Sequence, residues 1–193
     1  EVGRRIPPDY RCPSASGSRT DNNDKAQDWI PTDYVGVMGP GRDNDFEDLE
    51  DSHCGDYSTD GVFYPYSDTR IDDILDGSSN TLVIGEKLHA PRCWVKGAFE
   101  QGSGESRKVC VFSCKNIAYP INSEAAELCY ECSGSGYTRI LFNDIYFESK
   151  HPGGAQFLYA DGSVHFVPET INFDVFGDLA TKAGGEVPKD VPQ

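Results

Sequence analysis

The chain has 193 residues, of which 37% are hydrophobic and 11% aromatic, so it is long enough and apolar enough to bury a core. These values exclude a disordered chain. The formal net charge is −15 at pH 7, and a surface this acidic repels phosphate backbones and anionic lipids, so no nucleic-acid partner is expected. The 20 Gly and 12 Pro residues indicate many turns and favour a β-rich, loop-heavy fold.

No window of the sequence comes near the roughly 18 consecutive apolar residues of a membrane-spanning helix. The sequence begins at Glu1 without a signal peptide, and Met38 is its single methionine. We therefore expect Glu1 to be a processing site or a fragment boundary, with any targeting or anchoring segment lying upstream.

In chain order, the first predicted elements lie in the N-terminal half. Residues 1–33 are polar and lack periodicity, which indicates an extended segment. Alternating apolar residues from Asp33 to Gly39 predict a strand. Apolar residues at helical spacing predict a short helix from about Arg70 to Asp76, and the apolar run from Thr81 to Glu86 predicts a buried strand.

An acidic run follows the first strand and places carboxylates at alternate positions, on Asp43, Asp45 and Glu47. Alternating oxygen ligands are typical of calcium loops. An EF-hand, however, would need Gly at Asp48 and Glu at Cys54. We therefore prefer a solvated acidic loop and keep calcium as the alternative.

Seven cysteines are many for a cytosolic protein of this length, and they favour an oxidising compartment. All are disulfide candidates: Cys12, Cys54, Cys93, Cys110, Cys114, Cys129 and Cys132. The last four lie close together in a Gly/Ser-rich stretch at about 97–145, which we interpret as an insertion in a single domain spanning 1–193. We expect these four to pair among themselves, and a zinc site built from them is the alternative.

The segment from His151 to Val167 predicts a β-hairpin, because Asp161-Gly162 between two β-rich runs favours a two-residue type I′ turn. With that turn, four large apolar residues share one face and should be buried: Phe157, Tyr159, Val164 and Phe166. A helix is predicted from Asn172 to Ala183, with Asn172 as its N-cap and a Gly-Gly stop.

His151 and Asp161-Gly162 are separated by nine residues, and three further segments complete an ordered set of motifs. They are Arg11-Cys12-Pro13-Ser14, residues 74–86 (ILDGSSNTLVIGE) and residues 179–187 (LATKAGGEV). This set resembles the planctomycete pilin-like proteins with an H-x9-DG motif (DUF1559), whose elements include Cys-Pro-Ser and I-x-DG-x-SNT-L-x-x-GE. The matches span nearly the whole chain except for 97–145.

The resemblance implies an α+β, β-rich pilin-like head with an antiparallel sheet, a C-terminal hairpin and a short C-terminal helix. The long N-terminal pilin helix that it also implies is not in this sequence. A membrane association would then exist only through that helix. The implied function is an extracytoplasmic head with a structural or assembly role, whose partners are other pilin-like subunits or cell-surface components.

Seven residues of the family motifs are the candidate site residues, and we expect them to specify the fold: His151, Asp161, Gly162, Asp76, Gly77, Asn80 and Glu86. No catalytic residue transfers from the family. No nucleophile–base pair or phosphate loop is evident in the sequence, so we expect neither an enzyme nor a cofactor, with Ca²⁺ or Zn²⁺ as the alternatives.

A solute- or carbohydrate-binding module is the alternative function. Aromatic rings stack on sugar faces, and Trp29, Tyr64, Tyr66 and Trp94 are the candidates for such stacking. A pocket lined by several of these rings would favour this alternative, whereas their burial in the core would count against it.

Overall fold

The computed structural model describes residues 5, 7–15, 30–41, 54–88, 97–101, 108–123, 128–129 and 138–185. Within these ranges, no helix is both long enough and apolar enough to span a lipid bilayer. The strands are β1 (Tyr34–Pro40), β2 (Leu82–Glu86), β3 (Ala98–Gln101), β4 (Lys108–Val111), β5 (Cys114–Ile117), β6 (Leu128–Cys129), β7 (Thr138–Arg139), β8 (Gly154–Tyr159) and β9 (Val164–Pro168). Helix α1 spans Phe173–Asp178, and short 3₁₀ turns cover Pro8–Tyr10, Ile71–Asp73 and Phe142–Asp144.

A five-stranded sheet with the order β5-β1-β2-β8-β9 organises the fold. The pairings β1–β2, β2–β8 and β8–β9 are antiparallel, while β5 joins β1 in parallel and makes the sheet mixed. Strand β5 comes from the Cys-rich stretch at 97–145, so part of that stretch forms an edge of the central sheet. The expected β-rich α+β class is confirmed.

One face of this sheet is covered by α1 and the segment before β8. Phe157 of β8 lies at the centre of the contact, with its ring centroid 5.3 Å from Phe147 and 5.5 Å from Phe176. All three rings are completely buried. Asn172 caps α1 as predicted, accepting hydrogen bonds from the backbone N–H groups of Asp174 and Val175. The helix is shorter than predicted and ends at Asp178.

The hairpin forms, but the predicted register is wrong by one residue. Phe157 lies opposite His165, and Leu158 lies opposite Val164. Asp161 is not among the residues with positive φ, whereas Gly162 has φ +88°, so the two positive φ values of a type I′ turn are not present.

The loop contains three residues, 160–162, and is closed by a hydrogen bond from the Gly162 N–H to the Tyr159 carbonyl. A three-residue loop with glycine in the left-handed region is the next most common hairpin connection. Compared with the predicted two-residue loop, the third residue reverses the sheet face to which each β9 side chain points. Val164 and Phe166 are therefore exposed, while Phe157 and Tyr159 remain buried.

The predicted helix from about Arg70 to Asp76 is reduced to a single 3₁₀ turn. Of its apolar residues, Ile74 is buried, but Ile71 and Leu75 are exposed. The backbone N–H of Leu75 donates to the Lys182 carbonyl at 2.6 Å. The chain therefore leaves the helical path to bind the C-terminal segment.

The disulfide is Cys54–Cys110, so the expectation that Cys110 pairs within its own stretch is wrong. Asn143 provides the physical reason, because its backbone N–H donates to the Cys54 carbonyl and its side-chain oxygen accepts from the Val111 N–H. These bonds bring residue 54 and the end of β4 together. A cysteine in a disulfide cannot ligate zinc as a thiolate, so the four-cysteine zinc site is also wrong.

Two cysteines, Cys12 and Cys114, carry free thiols. Cys93 and Cys132 lie outside the described residues, and so do the calcium candidates Asp43, Asp45 and Glu47. Cys129 is the last residue of β6, and the description there is limited to the backbone.

Candidate functional site

Three side chains from distant parts of the chain meet beside the C-terminal end of β2. Cys12 Sγ lies 3.6 Å from His151 Nε2, and that nitrogen lies 3.3 Å from Glu86 Oε1. One ligand atom from each of the three residues lies within 4.8 Å of the other two. Cys12 and Glu86 are buried, while His151 retains partial access to solvent. We call this set the Cys–Glu–His cluster.

Glu86 is fixed by both its side chain and its backbone. Its Oε2 accepts a hydrogen bond of 2.7 Å from the Gln156 N–H, and its carbonyl accepts one from the Glu148 N–H. Its other carboxylate oxygen, Oε1, faces His151. Glu86 as a residue is 1% exposed, and β8 holds its carboxylate through the Gln156 N–H.

Cys12 is held by a buried carboxylate at the start of β1. Asp33 Oδ2 accepts hydrogen bonds from the Cys12 N–H at 2.9 Å and from Arg11 Nε at 3.1 Å. The Asp33 carbonyl accepts from the Lys87 N–H, directly after Glu86. Asp33 therefore joins the N-terminal segment to the end of β2.

His151 belongs to the turn that leads into β8. Its backbone N–H donates to Ser149 Oγ at 2.9 Å, and that hydroxyl donates to the Gly154 carbonyl at 2.7 Å. Gly153 adopts φ +82°, a conformation that favours glycine. The turn thus places the imidazole at the edge of the cluster.

Burial shapes the electrostatics of the cluster. Burial raises the pKa of the Cys12 thiol, and its hydrogen bond to Glu86 raises it further. Burial and the nearby Cys12 and Glu86 also raise the pKa of Tyr34 to about 12. Without a further positive charge, the site favours a protonated thiol and a neutral phenol at neutral pH.

The geometry differs from that of a catalytic triad. In a triad, the nucleophile and the carboxylate bind opposite nitrogens of the histidine ring. Here Cys12 and Glu86 both approach Nε2. The raised pKa of Cys12 also opposes the thiolate that a cysteine nucleophile requires. The sulfur of Cys12 and the carboxylate of Glu86 thus converge on one nitrogen of His151, whereas proton transfer in a triad uses both ring nitrogens.

Asp76, Gly77 and Asn80 lie at the opposite end of β2 from Glu86, in the turn that precedes the strand. Asp76 Oδ2 accepts hydrogen bonds from Thr181 Oγ1 at 2.9 Å and from the Gly184 N–H at 2.8 Å, while its Oδ1 accepts from the Gly185 N–H at 2.8 Å. Asn80 Nδ2 donates back to the Asp76 carbonyl. This turn and the C-terminal loop are thereby joined.

Gly77 and the Asp161-Gly162 turn lie at that same end. Gly77 adopts φ +96°, as only glycine does readily. The Asp161 N–H donates to the Ser78 carbonyl at 3.0 Å. The exposed Asp161 carboxylate accepts hydrogen bonds from Ser163, which lower its pKa.

Antiparallel pairing explains this division. Strand β8 runs beside β2 in the opposite direction, so His151, before β8, lies at the Glu86 end. The Asp161-Gly162 turn, after β8, lies at the Asp76 end. Of the seven candidate site residues, the structure brings Glu86 and His151 together with Cys12 and places the other five at the opposite end.

From the sequence, Cys12 is a disulfide candidate and part of the Cys-Pro-Ser element, but its place beside Glu86 and His151 is not predicted. A signal existed, because the three residues belong to three separate motifs of the family pattern. Gly85, the residue before Glu86, shows how tightly this end is packed. A Cβ there would collide with the ring of Phe157 and lie 2.7 Å from Phe147 Cδ1.

The second face of the sheet carries an apolar groove with a volume of about 670 Å³. Six of its lining residues are Tyr10, Tyr34, Phe63, Ile84, Leu158 and Val164. Gly36 in β1 lines the groove. A Cβ there would lie 2.8 Å from Cys114 Sγ, so a residue with a side chain would not fit without a shift. The groove was not predicted, because the expected hairpin register placed Val164 in the core.

Of the aromatic residues proposed for sugar stacking, Tyr64 and Tyr66 are described, and neither lines this groove. Tyr64 is half-buried and Tyr66 is exposed, and both lie elsewhere. Trp29 and Trp94 lie outside the described residues.

A buried polar cluster supports the segment around Phe142. Lys115 Nζ donates to the carbonyls of Val111 and Phe142, and Asn116 Nδ2 donates to Asp144 Oδ1. Burial raises the pKa of Asp144 to about 6. Because the Lys115 ammonium binds two backbone carbonyls, it serves to hold this segment against β5.

A protein family described as a protein of unknown function (DUF1559) matches residues 7–174. The chain belongs to the DUF1559 family. The matched part of this DUF1559 protein contains Cys12, Glu86 and His151 as well as both Asp-Gly turns. Neither the curated protein sequences nor the solved structures contain a significant match to the chain.

Proposed function

We propose that this DUF1559 chain is the extracytoplasmic head of a pilin-like subunit, with a structural or assembly role rather than a catalytic one. The observation that carries the proposal is the apolar groove on the second face of the sheet. An antiparallel sheet with one face in water normally alternates apolar and polar residues. Here Leu158 and Val164 line the groove on the face opposite the Phe157 core, and Ile84 lines it while also packing against the small buried cluster of Val62, Ile74 and Val83, so both faces carry apolar residues.

An apolar sheet face is stabilised when another element covers it. The resemblance to pilin-like proteins supplies a candidate, an apolar helix that precedes the head. Asp9 and Tyr10 line the groove, so the described N-terminal segment runs beside it. We therefore propose that such a helix packs along the groove, and that other pilin-like subunits or cell-surface components are the partners.

The disulfide Cys54–Cys110 and the seven cysteines support an oxidising location outside the cytoplasm. The acidic surface supports partners other than nucleic acid. The Cys–Glu–His cluster lacks the geometry of a cysteine nucleophile, which supports a non-enzymatic role.

The assembly role is tested in the cells that make the whole protein. Val164 is 60% exposed and lines the groove, so Val164→Arg should leave the head folded but place a charge where the helix would pack. We expect the variant to disappear from the assembled surface fraction in immunoblots. Thr170→Arg, at an exposed position just after β9, is the matched control and should assemble normally.

Unfolding curves of the purified chains establish that each variant folds. Assembly of the folded Val164→Arg variant at the wild-type level would contradict the proposal. Equal loss in the Thr170→Arg control would also count against it, because the groove would then not be the determinant.

A solute- or carbohydrate-binding module is the second candidate, and the groove favours it through its volume and its aromatic walls. About 670 Å³ falls within the range of small-molecule sites. Tyr10, Tyr34 and Phe63 offer rings at its edge. Calorimetric titration with neutral disaccharides such as cellobiose and maltose tests it. Saturable binding that Phe63→Ala abolishes would favour this candidate over the assembly role.

A further inference from the structure

We propose that Cys12, Glu86 and His151 form a binding site for one thiophilic divalent cation, with Zn²⁺ as the best fit. The three residues offer a thiol sulfur, a carboxylate oxygen and an imidazole nitrogen, which are the donors that zinc takes in proteins. Calcium and magnesium prefer oxygen donors alone, so this donor set disfavours them. The site adjoins the groove, since Tyr34 and Gln156 line the groove and lie beside Glu86, but the inference does not depend on the proposed function.

The distances agree with tetrahedral coordination. Zinc binds sulfur at about 2.3 Å and nitrogen or oxygen at about 2.0–2.2 Å. In a tetrahedron, those bond lengths place the sulfur about 3.6 Å from the nitrogen, and the nitrogen about 3.4 Å from the oxygen. The observed separations are 3.6 Å between Cys12 Sγ and His151 Nε2 and 3.3 Å between that nitrogen and Glu86 Oε1.

The third separation, between Cys12 Sγ and Glu86, lies within 4.8 Å, against about 3.6 Å in a tetrahedron. Both Cys12 and Glu86 approach one nitrogen, Nε2, and this convergence is expected when three donors face a common ion.

The donors are also held by outer partners, as metal ligands are. Gln156 fixes Glu86 Oε2 and leaves Oε1 facing the cluster. Asp33 fixes the backbone N–H of Cys12, and Ser149 fixes that of His151. The site is thus positioned before any ion enters it.

Charge also favours a cation at this point. The Glu86 carboxylate is buried, its Oε2 accepts the Gln156 N–H and its Oε1 faces the His151 ring nitrogen, so a cation between the three donors would meet a negative charge at short range. The side chain of His151 is 29% exposed and provides a path from solvent. A cation would stabilise the Cys12 thiolate and join the N-terminal segment, β2 and the turn before β8.

Three protein donors leave a fourth coordination position open. Zinc sites with three protein ligands keep that position for water or an external ligand. The ion would therefore join the three chain segments and present an exchangeable position on the side of His151.

The test uses the purified 193-residue chain, kept reduced at its free thiols and stripped of metal by a chelator. Co²⁺ serves as the spectroscopic probe, because its thiolate complexes absorb in the near ultraviolet and its tetrahedral complexes absorb strongly in the visible. We expect one Co²⁺ per chain with both signatures, displaced by one equivalent of Zn²⁺.

Single substitutions then assign the ligands. Cys12→Ser, Glu86→Gln and His151→Gln should each weaken Zn²⁺ binding by more than about 100-fold, since even outer-shell changes cost about 10–100-fold. Cys114→Ser removes the second free thiol of the described residues and is the matched control. A Cys129→Ser/Cys132→Ser double variant controls for the Cys-rich stretch, and both controls should bind as the wild type does.

Circular dichroism and unfolding without metal show which variants fold, and any two folded ligand variants are sufficient for the assignment. Three outcomes would overturn the proposal. They are absence of stoichiometric binding in the wild type, binding that survives the Cys12 and His151 substitutions, and binding that is lost in the Cys129/Cys132 variant.

Discussion

The two ends of the β2–β8 pair use their polar residues differently. At one end, Asp76 binds two backbone N–H groups and one hydroxyl, all supplied by the C-terminal loop. At the other end, Glu86 and His151 face each other and Cys12, which are side chains that can ligate an ion. We call these the turn end and the ligand end.

This difference shows that one sequence motif can serve two purposes. Residues 74–86 form one continuous family motif, and residues 151–162 form another. Each motif nevertheless extends from the turn end to the ligand end of the β2–β8 pair. A carboxylate saturated by backbone donors specifies a loop. A carboxylate with one oxygen directed at a thiol and an imidazole has capacity left for a ligand.

The largest effect is expected at the turn end, from Asp76→Ala. The substitution removes the acceptor of three hydrogen bonds, and bonds to charged groups are worth about 1.5–3 kcal/mol each, so we expect a loss on the order of 3–5 kcal/mol in the free energy of unfolding. Urea unfolding measures it. Asp72→Ala, at an exposed position nearby, should change the free energy by less than about 0.5 kcal/mol. A loss below about 1 kcal/mol for Asp76→Ala would contradict its structural role.

An intermediate effect is expected from Gly162→Val, in the turn that contacts Ser78 at the turn end. Gly162 has φ +88°, and a left-handed conformation costs a residue with a Cβ about 1–2 kcal/mol. A β-branched side chain should therefore lower the unfolding free energy by at least that amount. Gly162→Asn is the matched variant, since asparagine tolerates this conformation, and it should retain most of the stability. Equal losses for both would show that the loss arises from something other than φ.

The smallest effect on stability is expected at the ligand end, from His151→Gln in the metal-free protein. The imidazole is partly exposed and glutamine keeps a polar group, so the unfolding free energy should change by less than about 1 kcal/mol. Thermal and urea unfolding with a chelator present provide the measurement. A loss as large as that of Asp76→Ala would remove the distinction between the two ends.

Local signals in the sequence predicted β1, β2, β8, β9 and the start of α1, because apolar periodicity and an N-cap asparagine act within a few residues. The hairpin register failed because Asp-Gly is compatible with loops of two and of three residues. Only the φ values at Asp161 and Gly162 decide between them. The third loop residue reverses the side of β9 that faces water. Because the sequence predicted a loop of two residues, it did not predict the groove.

The disulfide and the ligand end depend on contacts that are distant in the chain. Cys110 pairs with Cys54 because Asn143, from a third segment, holds both. Likewise, Cys12 reaches Glu86 only because Asp33 holds the N-terminal segment at the start of β1. Chain spacing carries no information about such pairings, although the presence of all three cluster residues in family motifs was a usable signal.

The order of strands in the sheet also has a kinetic consequence. Central strand β2 pairs with β1, far upstream, and with β8, far downstream. Proteins dominated by such distant pairings fold on timescales of about milliseconds to seconds, because the loops must close before the contacts form. Until β8 has been synthesised, the apolar β2 keeps a bare edge that can pair with other chains, so this protein should need protection from aggregation while residues 154–193 are still missing.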